Sequence, residues 1–182
     1  MRVEGYAVIS EDGMIADASG MLPPSLIAEA DQTFFQDGLN GVDVVVHGRN
    51  SEEAHPKSLH RQRIILTRDV KAVAPDPERA TAVLWNPAGA SFETALAAFE
   101  KPPRSAAILG ATTVFGLFLD RYTVFFLSRI AGVRLPGGRP IFPQVPAATP
   151  ESVLTAHGIR EGKIELSDPA AGLIISRWER SA

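Results

Sequence analysis

Apolar, β-branched runs alternate with helix-periodic segments along the first 130 residues of this chain, and two further strand-like runs follow near its end. That order predicts an α/β fold built on a mainly parallel central sheet, with an antiparallel C-terminal hairpin at one edge. Val3 to Ser10 is the first strand, closed by the turn Glu11-Asp12-Gly13. The chain from Met14 to Pro24 reads as a loop. Ser25 then stands at an N-cap position, and Leu26, Ile27, Ala30, Phe34 and Phe35 recur at helical spacing up to Gly38. Val42 to His47 reads as a buried strand stopped by Gly48, and Arg63 to Thr67 and Ala80 to Trp85 as two more. Ser91 caps a helix carrying Phe92, Ala95, Leu96 and Phe99 on one face. Ser105 to Leu109 is a strand running into Gly110, followed by a helix from Thr112 to Leu119 and a very apolar strand from Tyr122 to Ser128. Lys163 to Leu166 and Leu173 to Trp178 form the hairpin. The stretch Pro136 to Pro150 is expected to cross the surface as a loop, leaving one domain over 1–182.

Composition narrows the function classes. A net charge of −3 with no basic run removes the electrostatic footprint of a nucleic-acid binder. With no cysteine there is no disulfide scaffold, thiolate metal site or cysteine nucleophile. No window approaches the ~20 apolar residues of a membrane span, and no leader pattern opens the chain, so a cytoplasmic, membrane-free protein is expected. The phosphate-binding G-x-x-x-x-G-K-[ST] loop, the G-x-G-x-x-G fingerprint and G-x-S-x-G are all missing. His47, His55, His60 and His157 lie in no zinc spacing, so no metal is expected.

Three local features carry chemistry. Gly48-Arg49-Asn50-Ser51 follows a buried strand. It is either a tight turn with a solvated arginine or a turn whose N–H groups, hydroxyl and guanidinium meet an anion. Gly110-Ala111-Thr112-Thr113 joins another buried strand to a helix start, either as an ordinary turn or as a pyrophosphate seat. Ligands of open α/β sheets lie beyond the strands' C-terminal ends, where both turns fall. Asp31 precedes Phe34 and Phe35 by three and four residues. It is either a solvent-exposed acid or a carboxyl against aromatic rings, raised in pKa and able to exchange a proton with substrate.

In order and spacing these pieces resemble the dihydrofolate reductase fold superfamily, and within it the reductase domain of riboflavin biosynthesis. The likeness runs through Ser10-Glu11-Asp12-Gly13-Met14-Ile15-Ala16, Leu22-Pro23, Asp31 and Phe35, and Val44 to Ser51. It continues through Arg63 to Arg68, Ile108 to Phe115, Phe126-Leu127-Ser128-Arg129 and Pro136 to Pro143. The resemblance implies NADPH as hydride donor and a small-molecule heterocycle as acceptor. It places Ala7, Ile15 and Ala16 at the nicotinamide and Gly48, Arg49, Asn50 and Ser51 at phosphates. Thr67 and Arg68 go to the adenosine 2′-phosphate, and Gly110, Ala111, Thr112, Thr113 and Val114 to the pyrophosphate. Asp31 becomes the acid of the substrate cleft, with Ser128 its hydrogen-bond partner. A homodimer is implied as well.

Departures from the family pattern are specific. Ala111 stands where relatives have a second glycine, at a peptide bond that can be cis in them, and its methyl faces the expected pyrophosphate. Pro24 lies near the position of a tryptophan in dihydrofolate reductases proper. Residues 36–40, where the riboflavin enzymes place cations for a ribose phosphate, read Gln-Asp-Gly-Leu-Asn. A dihydrofolate or pterin reductase and a non-catalytic nucleotide-binding protein are the alternative readings.

Overall fold

The computed structural model describes residues 1–49, 58 and 60–180. The first apolar run forms β1 (Arg2–Ile9), and the turn after it leads into β2 (Met14–Ala16) and α1 (Glu29–Asn40). Then come β3 (Val44–Gly48), β4 (Gln62–Leu66), β5 (Val73–Pro75), β6 (Ala82–Trp85), α2 (Phe92–Leu96), β7 (Ser105–Ile108) and α3 (Thr112–Leu117). The remainder is β8 (Val124–Ile130), β9 (Arg139–Pro140), α4 (Pro150–Ala156), β10 (Ile159–Asp168) and β11 (Leu173–Arg180).

Nine strands join one sheet in the order β10-β11-β8-β1-β7-β3-β4-β6-β5. The pairs from β8 across to β6 are parallel, whereas β5 and the hairpin β10-β11 run antiparallel at the two edges. This is the expected mainly parallel sheet with its antiparallel C-terminal hairpin.

Period-two alternation splits the strand residues between two apolar layers. Val3, Ile9, Val46, Ile108 and Phe125 pack with Phe92 of α2 and Phe115 of α3 on one face. Tyr6, Val45, Ala107 and Phe126 pack with Leu39, Phe34 and Phe35 of α1 on the other. Gly5 lies opposite Phe125 in the register of β1 and β8, and a Cβ there would come within 2.2 Å of that buried ring. The absent side chain therefore makes room for the ring at the centre of the sheet. Among the described residues no helix is long and apolar enough to cross a membrane.

Several boundaries differ from expectation. Ser25 is not an N-cap: it sits in a short 3-10 turn (Pro24–Leu26), and α1 starts at Glu29 from Ala28 with no side-chain cap. Gly38 does not end α1, which continues to Asn40, because the glycine lets the Tyr6 phenol lie against the helix. The loop after Gly13 contains β2, which pairs with β9 from the Pro136–Pro150 stretch. Neither β5 nor α4 was expected, and β10 is longer than Lys163–Leu166. Ser91 does cap its helix, accepting from the Thr94 amide at 3.2 Å.

Candidate active site

Asp31 falls in the first turn of α1, and Ser128 on β8 between Val8 of β1 and Ile175 of β11. Residue parity along β8 puts Ser128 on the same face as Phe126, the face that α1 covers. The sheet thus aims a buried hydroxyl at the helix, close enough to the Asp31 carboxyl to favour its charged form. Asp31 is half-buried. Burial raises its pKa, the Ser128 hydrogen bond opposes the rise, and burial prevails. The same α1–sheet layer holds an aromatic cluster: Tyr6 stacks on Phe126 at 4.9 Å, and Phe34, three residues after Asp31 on α1, meets Phe126 edge-on at 5.2 Å. A carboxyl whose pKa is raised is a better proton donor to a bound heterocycle near neutral pH than an exposed aspartate is.

Ala7 and Ile15 pack on the opposite layer from Asp31, and Ala16 is buried in β2. Their loop is fixed by a network the sequence reading did not assign. Ser10 Oγ donates to Asp12 Oδ1 at 2.6 Å and accepts from the Met14 amide, while Asp12 also accepts from the Leu135 amide at 3.0 Å. Arg129 adds bonds to the Glu11 carbonyl and pairs with Glu151. The S-x-D-G spacing was the available signal, since Ser and Asp side chains bond nearby turn groups and the glycine supplies the positive φ of 81° at Gly13.

The ends of β3, β4 and β7 form a second constellation. The Gly110–Ala111 peptide is cis, and Gly110 has φ +96°. A Cβ at that position would come within 2.7 Å of the Phe115 ring, so only glycine is accommodated. The Gly110 carbonyl accepts from the Gly48 amide at 2.9 Å, which ties the two turns together and spends that donor. No side chain caps α3, and the Thr112 hydroxyl instead donates to the Pro140 carbonyl, so the first amides of Thr112, Thr113 and Val114 have no cap. Arg49 donates to Thr67 Oγ1 at 3.1 Å and pairs with Asp69, a partner absent from the sequence reading. Arg68 is exposed, with no ion pair among the described residues. Asn50 and Ser51 lie outside the described residues.

Two grooves flank these features. One, of about 500 Å³, runs between α1 and β10 and is lined by Glu29, Thr33, Phe34, Asp37, Leu166 and Asp168. The other, of about 350 Å³, opens beside Leu39, Val44, His60 and Arg61, at the strand ends remote from Gly110. Asp31 lines neither. The sequence reading found no cation at the end of α1, yet Arg61 arrives there from the segment before β4. It donates to Gln36 Oε1 at 3.1 Å and Asn40 Oδ1 at 3.2 Å.

No protein-family model matches the sequence, and no curated protein matches it. Solved structures do. A Shewanella sp. PV-4 protein assigned to riboflavin biosynthesis is 18% identical with a TM-score of 0.69, covering 100% of both chains. Dihydrofolate reductase from Enterococcus faecalis, complexed with NADP(H) and RAB-propyl, is 19% identical. Its TM-score is 0.66 over 100% of this chain and 97% of that one. A Thermotoga maritima diaminohydroxyphosphoribosylaminopyrimidine deaminase/5-amino-6-(5-phosphoribosylamino)uracil reductase is 16% identical with a TM-score of 0.66. This chain is covered over 99% and spans 56% of that longer one. Sheet order, layers and these likenesses agree that the chain has the dihydrofolate reductase fold.

Proposed function

We propose that this protein is a nicotinamide-dependent reductase of a small heterocycle or its sugar adduct, resembling 5-amino-6-(5-phosphoribosylamino)uracil reductase, and that it acts as a homodimer. The observation that carries the reading is Asp31, raised in pKa by burial and facing Ser128 at the junction of α1 and the sheet, in a fold whose solved neighbours include reductases. NADPH is the donor that the resemblance implies.

The residues at the strand ends suit such a cofactor. Gly110 keeps a side chain away from the turn and α3 presents uncapped amides, while Arg49 and Thr67 stand at the ends of β3 and β4 with Asp69 as their partner. When bound, the dinucleotide supplies the hydride. Asp31 holds the proton that a reduced carbon–nitrogen double bond must gain, and burial keeps it in the acid form to higher pH than an exposed aspartate. Ser128 faces the same side of the sheet and acts on that carboxyl, favouring its charged form against burial. The Ser10–Asp12 network holds Ile15 and Ala16 against the sheet, closing the nicotinamide side to water.

Loss of reduced-nicotinamide absorbance with a panel of pyrimidine and pterin substrates tests the reading. Asp31→Asn is expected to lower turnover about 10²-fold or more, the usual contribution of a positioned acid, with cofactor affinity unchanged. Full turnover in that variant removes Asp31 from the mechanism. The Enterococcus faecalis neighbour supports a second reading, a dihydrofolate or pterin reductase, and the same panel separates the two by which acceptor is consumed.

A further inference from the structure

The ion pair at the ends of β3 and β4 bears on which nicotinamide dinucleotide the proposed site takes, and it rests on that reading of the site. Thr67 directly follows β4, and its amide donates to the Trp85 carbonyl at 2.9 Å, so the sheet sets its position. Its hydroxyl accepts from Arg49 Nη2 at 3.1 Å and from the Asp69 amide at 3.2 Å. The Asp69 carboxylate pairs with that same Nη2 atom. A carboxylate of this chain therefore occupies the face of Arg49 and Thr67 that a phosphate oxygen would need.

Both charged side chains are 59% exposed, so the pair itself is weak and opens readily. The carboxylate cannot leave the neighbourhood, however, because its backbone is tethered two residues from Thr67 by the amide-to-hydroxyl bond. A doubly charged 2′-phosphate placed there meets a fixed negative charge a few ångströms away. A ribose 2′-hydroxyl placed there donates a hydrogen bond to the same carboxylate. Arg68 contributes positive charge next door, and it does so for either nucleotide.

We propose that Asp69 is a specificity-determining residue that fills the anion seat of Arg49 and Thr67, so that the protein binds NADH at least as tightly as NADPH.

Calorimetric titration of the full-length protein and its Asp69→Asn variant with each reduced dinucleotide tests this. Asp69 is exposed and lies outside the strands, and an unchanged melting temperature verifies that the variant is folded. The wild type is expected to show a Kd for NADPH no lower than that for NADH. Asp69→Asn is expected to tighten NADPH about tenfold while shifting NADH less than about threefold, since a like charge close to a phosphate acts only on the phosphorylated ligand. If the wild type prefers NADPH tenfold, or if Asp69→Asn leaves the ratio unchanged while both nucleotides bind, the assignment of Asp69 is wrong and the reductase reading stands. If neither nucleotide binds either protein, the cofactor site fails and this inference fails with it.

Discussion

At Asp31 two effects act in opposite directions on one carboxyl. Burial disfavours the charged form, the Ser128 hydroxyl favours it, and the pKa in the folded protein ends above the ordinary 3.8. The linkage follows from that sign. A group whose folded pKa is raised contributes stability that is complete below its unfolded pKa and is lost as pH rises through the folded value. At neutral pH Asp31 is therefore a net burden on the fold, which the proposed proton chemistry would account for. Asp31→Asn, which cannot ionise, is expected to melt higher than the wild type at pH 7, with the gap closing as pH falls toward 3.8. Paired melting curves across that range decide it, and a wild type that melts higher at pH 7 shows that the carboxylate is better solvated than its surroundings indicate. Such a gain in stability with a loss of turnover is the expected signature of a strained functional group.

Helix α1 illustrates what an element can hide. Its apolar face, its acid and its aromatic pair are readable from spacing alone, because period 3.6 places them before any partner is known. Its ends are not. Ser25 has the chemistry of a cap, but Pro23 and Pro24 draw it into a 3-10 turn, and the helix begins four residues later. Gly38 reads as a stop, yet it is a contact: a Cβ there would come within 2.4 Å of the Tyr6 hydroxyl. That phenol cannot retreat, since it donates to the buried Glu4 carboxylate at 2.6 Å and stacks on Phe126. Helix propensity alone favours Gly38→Ala by about 0.8–1 kcal/mol, whereas overpacking a filled interface costs about 1–3 kcal/mol. The second term is the larger, and urea denaturation is expected to show a net loss of up to about 2 kcal/mol. A stabilised variant means that the Tyr6 ring has room to move. The same logic explains the other omissions. Arg61 beside Asn40, Asp69 beside Arg49, and the pairing of β2 with β9 join distant parts of the chain, and no local pattern announces a tertiary partner. The start of α4 is different, for Thr149-Pro150-Glu151 carries an N-cap and an N1 proline that spacing alone could have revealed.

Across the whole molecule the strand order decides what a bound nucleotide would do. Gly48 at the end of β3, Thr67 after β4 and Gly110 after β7 belong to neighbouring strands in the middle of one sheet, and Ala7 lies on β1 next to β7. A ligand lying across those ends touches four strands, so it binds only when the sheet is assembled and stabilises the folded state as a whole. At about 100 times its Kd it adds about 2.7 kcal/mol, which for a chain of this size raises the melting temperature by about 5–10 °C. Edge strands β5 and β10 take no part, so a nucleotide binding at them leaves the ends of the central strands unprotected, whereas one in the groove of Arg61 meets β3 and β4 at their opposite ends, by Val44 and Gln62. Hydrogen exchange followed with and without nucleotide distinguishes these cases. Protection gained at the ends of β3, β4 and β7 along with the thermal shift supports the central site. A thermal shift with no turnover on any acceptor favours the non-catalytic nucleotide-binding reading, because the proposed nucleotide site lies at the strand ends alone, whereas the proposed reduction also calls on Asp31 and Ser128 on the α1 face.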